Sequence, residues 1–229
     1  MRCFVSWSGG KDSCLALWRA RRSGADIGYL VTTYSGRTER TMAHGLRLEL
    51  VRTQAEALGV ELIAVETGWE EYEARFKAAI SSLRERGVEA GVFGDIDLRE
   101  HREWVERVSR EAGLNALLPL WGADQSVLLR EWVSEGFTAV IVAVRSDLGL
   151  EWLGRTLDRR CTAELDRALT RRGLSPSGES GEYHTLAVDG PLFQRPLEVR
   201  EAVPVLRGRH WMLDISEFGL GERRPEAGG

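Results

Sequence analysis

The sequence predicts an α/β protein, with a five-stranded parallel sheet covered by helices on both faces and a smaller α+β part behind it. Three observations predict it. Short β-branched or apolar runs alternate with segments of helical periodicity through residues 1–121, the rhythm of βαβ units with right-handed crossovers. The first apolar run ends in two adjacent glycines that lead straight into a helix. Past Gly122 the rhythm changes, and the chain becomes a helix, a strand, another helix and then short runs broken by Gly and Pro. The division is therefore 1–122, 123–221 and a frayed tail over 222–229.

In order, the first strand is Arg2-Cys3-Phe4-Val5-Ser6-Trp7, and a helix follows over 13–23. Residues 26–34 have the β-branched and aromatic content of a buried strand. Residues 35–45 are polar and turn-rich, 46–58 are helical, and 61–65 form a third strand. A long charged helix over 69–86 places Tyr72, Phe76, Ala79, Ile80 and Leu83 on one face. The fourth strand, 90–94, runs into Asp95-Ile96-Asp97; a helix over 98–111 turns Trp104, Val105 and Val108 inward, and 115–121 is the fifth strand. Beyond it, 124–135 is a helix ended by Gly136, 137–144 a strand, and 158–172 a helix ended by Gly173.

At 229 residues with 43% hydrophobic and 29% charged side chains, the chain can bury a substantial core and reads as an ordinary soluble globular protein. A net charge of -4 argues against a broad nucleic-acid or membrane-binding surface, so neither partner is expected. No apolar run approaches a membrane span and no leader precedes the first strand. Cys3, Cys14 and Cys161 are far apart and form no CxxC pair, which points to reduced thiols and a cytoplasmic protein.

Ser8-Gly9-Gly10-Lys11-Asp12-Ser13 reads as a phosphate cradle. Adjacent glycines let several amide groups turn toward one anion, and the following helix adds its unpaired N-terminal donors. Ser8 and Ser13 offer hydroxyls. Lys11 offers a point charge in a chain whose only other lysine is Lys77. The alternative is a plain strand-to-helix turn capped by Asp12 or Ser13. In a parallel sheet, ligands sit beyond the carboxyl ends of the strands. Thr32, Thr33 and Tyr34 leave from that edge, as do Gly94 and Asp95, and the five residues complete the candidate nucleotide site.

A second stretch, Pro176 through Gly178-Glu179-Ser180-Gly181-Glu182-Tyr183-His184-Thr185, combines two glycines with two carboxylates, a phenol and an imidazole. It reads either as a binding loop or as an exposed polar loop entering a strand over 185–188. His44 leaves the same sheet edge, either to help close the site or as a loop histidine without a role. His101, in a helix, and His210, in an edge strand, receive no role. Trp69, Trp104, Trp121 and Trp132 are expected in core or inter-domain packing.

The SGGKDS string resembles the PP-loop of the ATP pyrophosphatases. Together with Phe93-Gly94-Asp95-Ile96 and the stretch from Gly178 to Phe193, it resembles the diphthine–ammonia ligase family over nearly the whole chain, in its bacterial-type branch. The resemblance implies a Rossmann-like HUP domain that cuts ATP to AMP and pyrophosphate, adenylates an acceptor carboxylate and lets ammonia displace AMP. ATP and Mg²⁺ are then the cofactors. Asp12 and Asp95 are the candidate metal ligands, with a helix N-cap as the alternative for Asp95. Gly9, Gly10, Lys11 and Ser13 would stabilise the departing pyrophosphate, with Lys11 and Asp12 catalytic. Gly178, Glu179, Gly181, Glu182, Tyr183 and His184 would bind the acceptor, and Glu182 or His184 would take the ammonium proton. His184 stands where the family motif has an acid, and Ser180 where it has a glycine. The acceptor is a carboxylate on a protein or small molecule, the ammonia is free or comes from a separate glutaminase, and a homodimer is left open. Two other classes remain beside this one: a sulfurtransferase acting on RNA, and a nucleotide sensor without turnover.

Overall fold

The computed structural model describes residues 1–222, so the expected tail lies outside the described residues except for Glu222. Five parallel strands form the first sheet in the order β4-β2-β1-β5-β6, from β1 (Arg2–Ser6), β2 (Asp26–Ser35), β4 (Glu61–Glu66), β5 (Ala90–Val92) and β6 (Asn115–Leu117). A sixth strand, β3 (Arg40–Thr41), runs antiparallel to the end of β2, inside the stretch expected to be all turn. The helices between strands are α1 (Lys11–Arg22), α2 (Leu48–Leu58), α3 (Tyr72–Glu85) and α4 (Arg99–Glu111).

Alternation along β1 assigns the two faces of this sheet. Cys3, Val5 and Trp7 join one core with Leu15 and Leu17 of α1 and Leu50 and Val51 of α2. Phe4 points to the other core, where Phe76, Ile80 and Leu83 of α3 meet Val105 and Val108 of α4. Helix α1 starts at Lys11 with Gly10 as its N-cap, earlier than the periodicity suggests, so neither Asp12 nor Ser13 caps it.

The remaining chain builds a four-stranded antiparallel sheet in the order β8-β7-β10-β9, from β7 (Thr138–Arg145), β8 (Tyr183–Asp189), β9 (Leu197–Arg207) and β10 (His210–Leu220). Helices α5 (Gln125–Ser134) and α6 (Arg159–Thr170) accompany it, each capped by an aspartate side chain, Asp124 and Asp158. Strands β9 and β10 have 11 residues each, against the short broken runs expected there. Pro204 is tolerated because β9 is an edge strand, where a missing N–H can face outward. His210 lies on β10, between β7 and β9, and so not on an edge strand as expected. Among the described residues no helix is long and apolar enough to cross a membrane.

The two sheets share one apolar core, which runs from β1, α1 and α2 into α5, β7 and β8. A polar joint sits inside it. Gln54 is fully buried; its Oε1 accepts from Trp7 Nε1 at 2.8 Å, and its Nε2 donates to the carbonyls of Gly9 at 2.9 Å and Ala187 at 2.6 Å. One amide side chain thus ties α2 to the glycine loop and to β8. Replacing it strands an indole donor in the core and removes a donor from two carbonyls. Gln54→Ala is expected to lower the unfolding free energy by about 2–4 kcal/mol, read from the midpoint of urea unfolding at unchanged slope.

Candidate active site

The glycine loop takes its shape from the second sheet. Gly9 has a φ of +82°, a conformation open to glycine, and its carbonyl accepts from the Ala187 amide at 2.9 Å. A Cβ on Gly10 would stand 2.4 Å from His44 Cε1. The Lys11 amide donates to Thr185 Oγ1 at 3.0 Å, and the Gly10 amide to Ser8 Oγ at 3.3 Å. Ser8 Oγ and Ser13 Oγ are 3.1 Å apart. The amides of Asp12 and Ser13, in the first turn of α1, have no hydrogen-bond partner among the described residues, as helix geometry requires. Gly94 packs on them so closely that a Cβ would lie 2.9 Å from the Ser13 nitrogen.

Lys11 is only 4% exposed. Its ammonium donates to the Ser177 carbonyl at 2.5 Å and to the Asp12 carboxylate at 2.7 Å, with the Tyr183 ring centroid 5.2 Å away. It therefore reaches from the first motif into the second.

Two adjoining chambers open at this point. The larger, about 240 Å³, is lined by Ser8, Asp12 and Ser13, by Thr32 and Thr33 of β2, by Gly94 and Asp95, and by Tyr72 and Phe76. The smaller, about 110 Å³, is lined by Lys11, Ser177, Gly178, Tyr183, His184 and Thr185. Asp12, His44 and Glu179 line both. Of the expected nucleotide residues, Gly9, Gly10 and Tyr34 line neither chamber and Lys11 lines only the smaller; the Tyr34 hydroxyl is 3.4 Å from Glu66. Of the expected acceptor residues, Gly181 and Glu182 line neither chamber. Glu182 is buried, and its two oxygens accept from the amides of Ser175 and Ser180, each at 3.1 Å. Those bonds fasten the loop and leave Glu182 out of reach of a substrate, which removes it as a proton acceptor.

Glu179 occupies the boundary. Its Oε1 accepts from the Ile96 amide at 3.1 Å, yet burial, with the nearby Asp12 and Asp95 charges, pushes its carboxyl up to about 7. Asp95, His101 and Glu179 each present a ligand atom, all within 4.8 Å of one another. The Asp95 charge adds to the burden on Glu179, and carboxylates at this separation suit a hard cation such as Mg²⁺. His101 donates to Asp95 at 3.2 Å, which raises its pKa. Asp12 is outside this group because its carboxylate holds Lys11, and Asp95 does not cap α4, whose N-cap is Leu98. Residues 95, 101 and 179 come from two motifs and a helix, and no spacing rule in the sequence joins them.

All four histidines of the chain are here. His44 stacks on His184 with ring centroids 4.5 Å apart at 25°, and His184 faces His210 at 6.1 Å and 25°. His44 Nδ1 donates to the Thr185 carbonyl at 3.2 Å, and His210 Nε2 to the Gly181 carbonyl at 2.9 Å. Burial, then His210 and Lys11, push His184 down to about 4. Burial, His184 and Lys11 hold His44 well below the usual imidazole range. The pair is neutral at pH 7. Trp132 is buried as expected, but Trp69 is 74% exposed and stacks on Tyr72 at the sheet edge.

A parallel sheet with a glycine loop between its first strand and helix, unpaired helix amides and a carboxylate pair across the cleft define an α/β nucleotide-binding protein of the PP-loop type. Residues 1–116 match the family model described as the diphthamide synthase N-terminal domain, and residues 124–218 the one described as its C-terminal domain. The chain belongs to the diphthamide synthase family, as the resemblance of its motifs implied. It is 28% identical to the diphthine–ammonia ligase of Homo sapiens over 90% of this chain and 85% of that one. It is 30% identical to the diphthine–ammonia ligase of Schizosaccharomyces pombe over 82% of this chain and 34% of that longer one. A solved structure described as a predicted subunit of tRNA methyltransferase from Methanocaldococcus jannaschii aligns with a TM-score of 0.45 at 19% identity, covering 83% of this chain and 98% of that one.

The neutral histidine pair gives a pH prediction. An unfolded histidine titrates near 6.5 and His184 near 4, so between these values the unfolded chain binds more protons. Stability is therefore expected to fall as pH drops from about 6.5 to about 4. His184→Gln should make that fall shallower in urea unfolding, and the His184 ring should show an NMR midpoint near 4.

Proposed function

We propose that the cleft activates an acceptor carboxylate with ATP in the larger chamber and amidates it in the smaller. Family membership makes the chain an enzyme, an ATP-dependent carbon–nitrogen ligase of the diphthamide pathway. What carries the finer reading is that Asp12, His44 and Glu179 are walls of both chambers, so a nucleotide in one lies against whatever occupies the other.

In this reading the adenine lies against Thr32 and Thr33 and the polyphosphate crosses the loop. A carboxylate oxygen of the acceptor bonds to the α-phosphorus, and the bond from that phosphorus to the bridging oxygen breaks. The departing pyrophosphate carries the electron pair. The amides of Asp12 and Ser13, the hydroxyls of Ser8 and Ser13 and the end of α1 stabilise the growing charge without having to reorganise. Asp95 and Glu179 are the residues to hold Mg²⁺, which when bound neutralises phosphate oxygens.

Ammonia then attacks the acyl carbon, the bond to AMP breaks and one proton must leave the nitrogen. His184 is neutral and lines the acceptor chamber, so its lone pair can receive that proton. Lys11 lines the smaller chamber and holds in place the Ser177 carbonyl and Asp12, a wall of both chambers. The acceptor is a carboxylate on a protein or small molecule, and the ammonia, which the relatives' name prints as a substrate, is free or delivered by a separate glutaminase. The RNA sulfurtransferase alternative lacks a nucleophile, because Cys3, Cys14 and Cys161 are all buried and line neither chamber.

The test is product analysis with Mg-ATP, ammonium and acceptor-containing protein fractions. AMP and pyrophosphate in equal amounts are expected, and Lys11→Ala should lower their formation by roughly 100-fold or more while the protein stays folded. ADP and phosphate, or undiminished turnover in the variant, would contradict the assignment.

A further inference from the structure

A second cavity region lies away from the cleft. It is a groove of about 660 Å³ between α5 and α6, lined by Ser126, Arg130, Val133 and Ser134 on one side and by Arg159, Thr162, Ala163, Asp166 and Arg167 on the other. Ser126 Oγ donates to Asp166 Oδ1 at 2.8 Å across its floor, which fixes the spacing of the helices. Asp166 also accepts from Thr170 Oγ1 at 3.2 Å, so the single carboxylate of the groove is engaged by hydroxyls. None of the three arginines lies within 4 Å of a carboxylate among the described residues. Elsewhere the chain pairs its arginines freely; Arg19, Arg107, Arg155 and Arg172 are examples. In a protein of net charge -4 this is a local positive groove with aliphatic walls.

The groove is mechanically continuous with the acceptor chamber. The residue before Ser126 is Gln125, whose Oε1 accepts from Ser175 Oγ at 2.6 Å and from the Ser177 amide at 3.0 Å. The opposite face of α5, with Leu128, Leu129 and Trp132, is buried against the PP-loop helix. One helix therefore holds the acceptor loop at its first residue and presents the groove on its outer side.

We infer that this groove docks an acidic, partly apolar segment of the polypeptide that carries the acceptor carboxylate. The inference rests on the reading of the 175–185 loop as the acceptor side. Three guanidiniums spaced along two helices suit separate carboxylates on a peptide, while Val133, Ala163 and the arginine stems suit its apolar side chains. A nucleic acid strand is disfavoured because the groove itself offers only three arginines, beside one aspartate, in a protein of net charge -4.

The three native cysteines are buried, so Ser134→Cys introduces an exposed thiol for an environment-sensitive dye on the groove wall. The labelled full chain is titrated with a 12-residue peptide carrying Glu and Leu at helical spacing, with a Lys-for-Glu control, a 12-nucleotide single-stranded RNA and inorganic phosphate. Saturable response to the acidic peptide alone is expected, weakened by added salt and at least tenfold weaker in Arg130→Glu/Arg159→Glu/Arg167→Glu. Thermal unfolding and ATP binding of that variant should match the parent. No response to the acidic peptide, an equal response in the charge-reversed protein, or a response to RNA or phosphate instead would overturn the inference. If ATP binds and yields AMP while the peptide does not dock, docking fails alone; if ATP is not bound at all, the functional reading fails first.

Discussion

The conformation of the phosphate loop depends on a strand 174 positions further along the chain. Strand β8 donates its Ala187 amide to the Gly9 carbonyl and receives the Lys11 amide on Thr185 Oγ1, while the loop before it receives the Lys11 ammonium on the Ser177 carbonyl. Gln54 closes the arrangement from α2. Buried backbone groups must be paired, so the loop cannot keep this shape if the second sheet is displaced. The parallel domain supplies the glycines and the helix end, and the antiparallel sheet supplies the mould.

That constraint explains why the two chambers, and the chemistry proposed for them, fall between the two sheets. Pairing Lys11 with Asp12 and Ser177 removes it from the larger chamber and ties it to Asp12, a wall of both. The Asp12 charge so fixed raises the Glu179 carboxyl, as burial already does, and a cation at Asp95 and Glu179 would relieve it. The Lys11 charge offsets part of that rise at Glu179, and in the smaller chamber it likewise acts downward, after burial, and helps keep His184 and His44 neutral. One buried ammonium thus biases the protonation of groups on both sides of the boundary.

Much of this was legible in the residues. Periodicity located the six α-helices of the described residues and the five parallel strands to within a few positions, and the SGGKDS and GESGEYHT strings contain several of the residues that line the two chambers. The failures have local causes. Pro204 and Gly208 read as breakers and hid two 11-residue strands, because Pro is harmless on an edge and Gly208 forms the turn. Glu182 looked like the reactive acid of its motif, but its neighbour Glu179 faces the chambers while Glu182 closes the loop. Which of two carboxylates three residues apart faces a cavity is a matter of tertiary packing. His101 was given no role, and His44 was left between closing the site and having none, for the same reason: their partners, Asp95 and His184, meet them only in space.

The most direct measurement is a crystal structure with Mg²⁺ and an ATP analogue whose bridge between the α and β phosphates cannot be cut. The account predicts its phosphates on the amides of Asp12 and Ser13, its base against Thr32 and Thr33, and the metal between Asp95 and Glu179. Phosphates bound away from the loop, or a loop that leaves Thr185 and Ala187 to receive them, would contradict it.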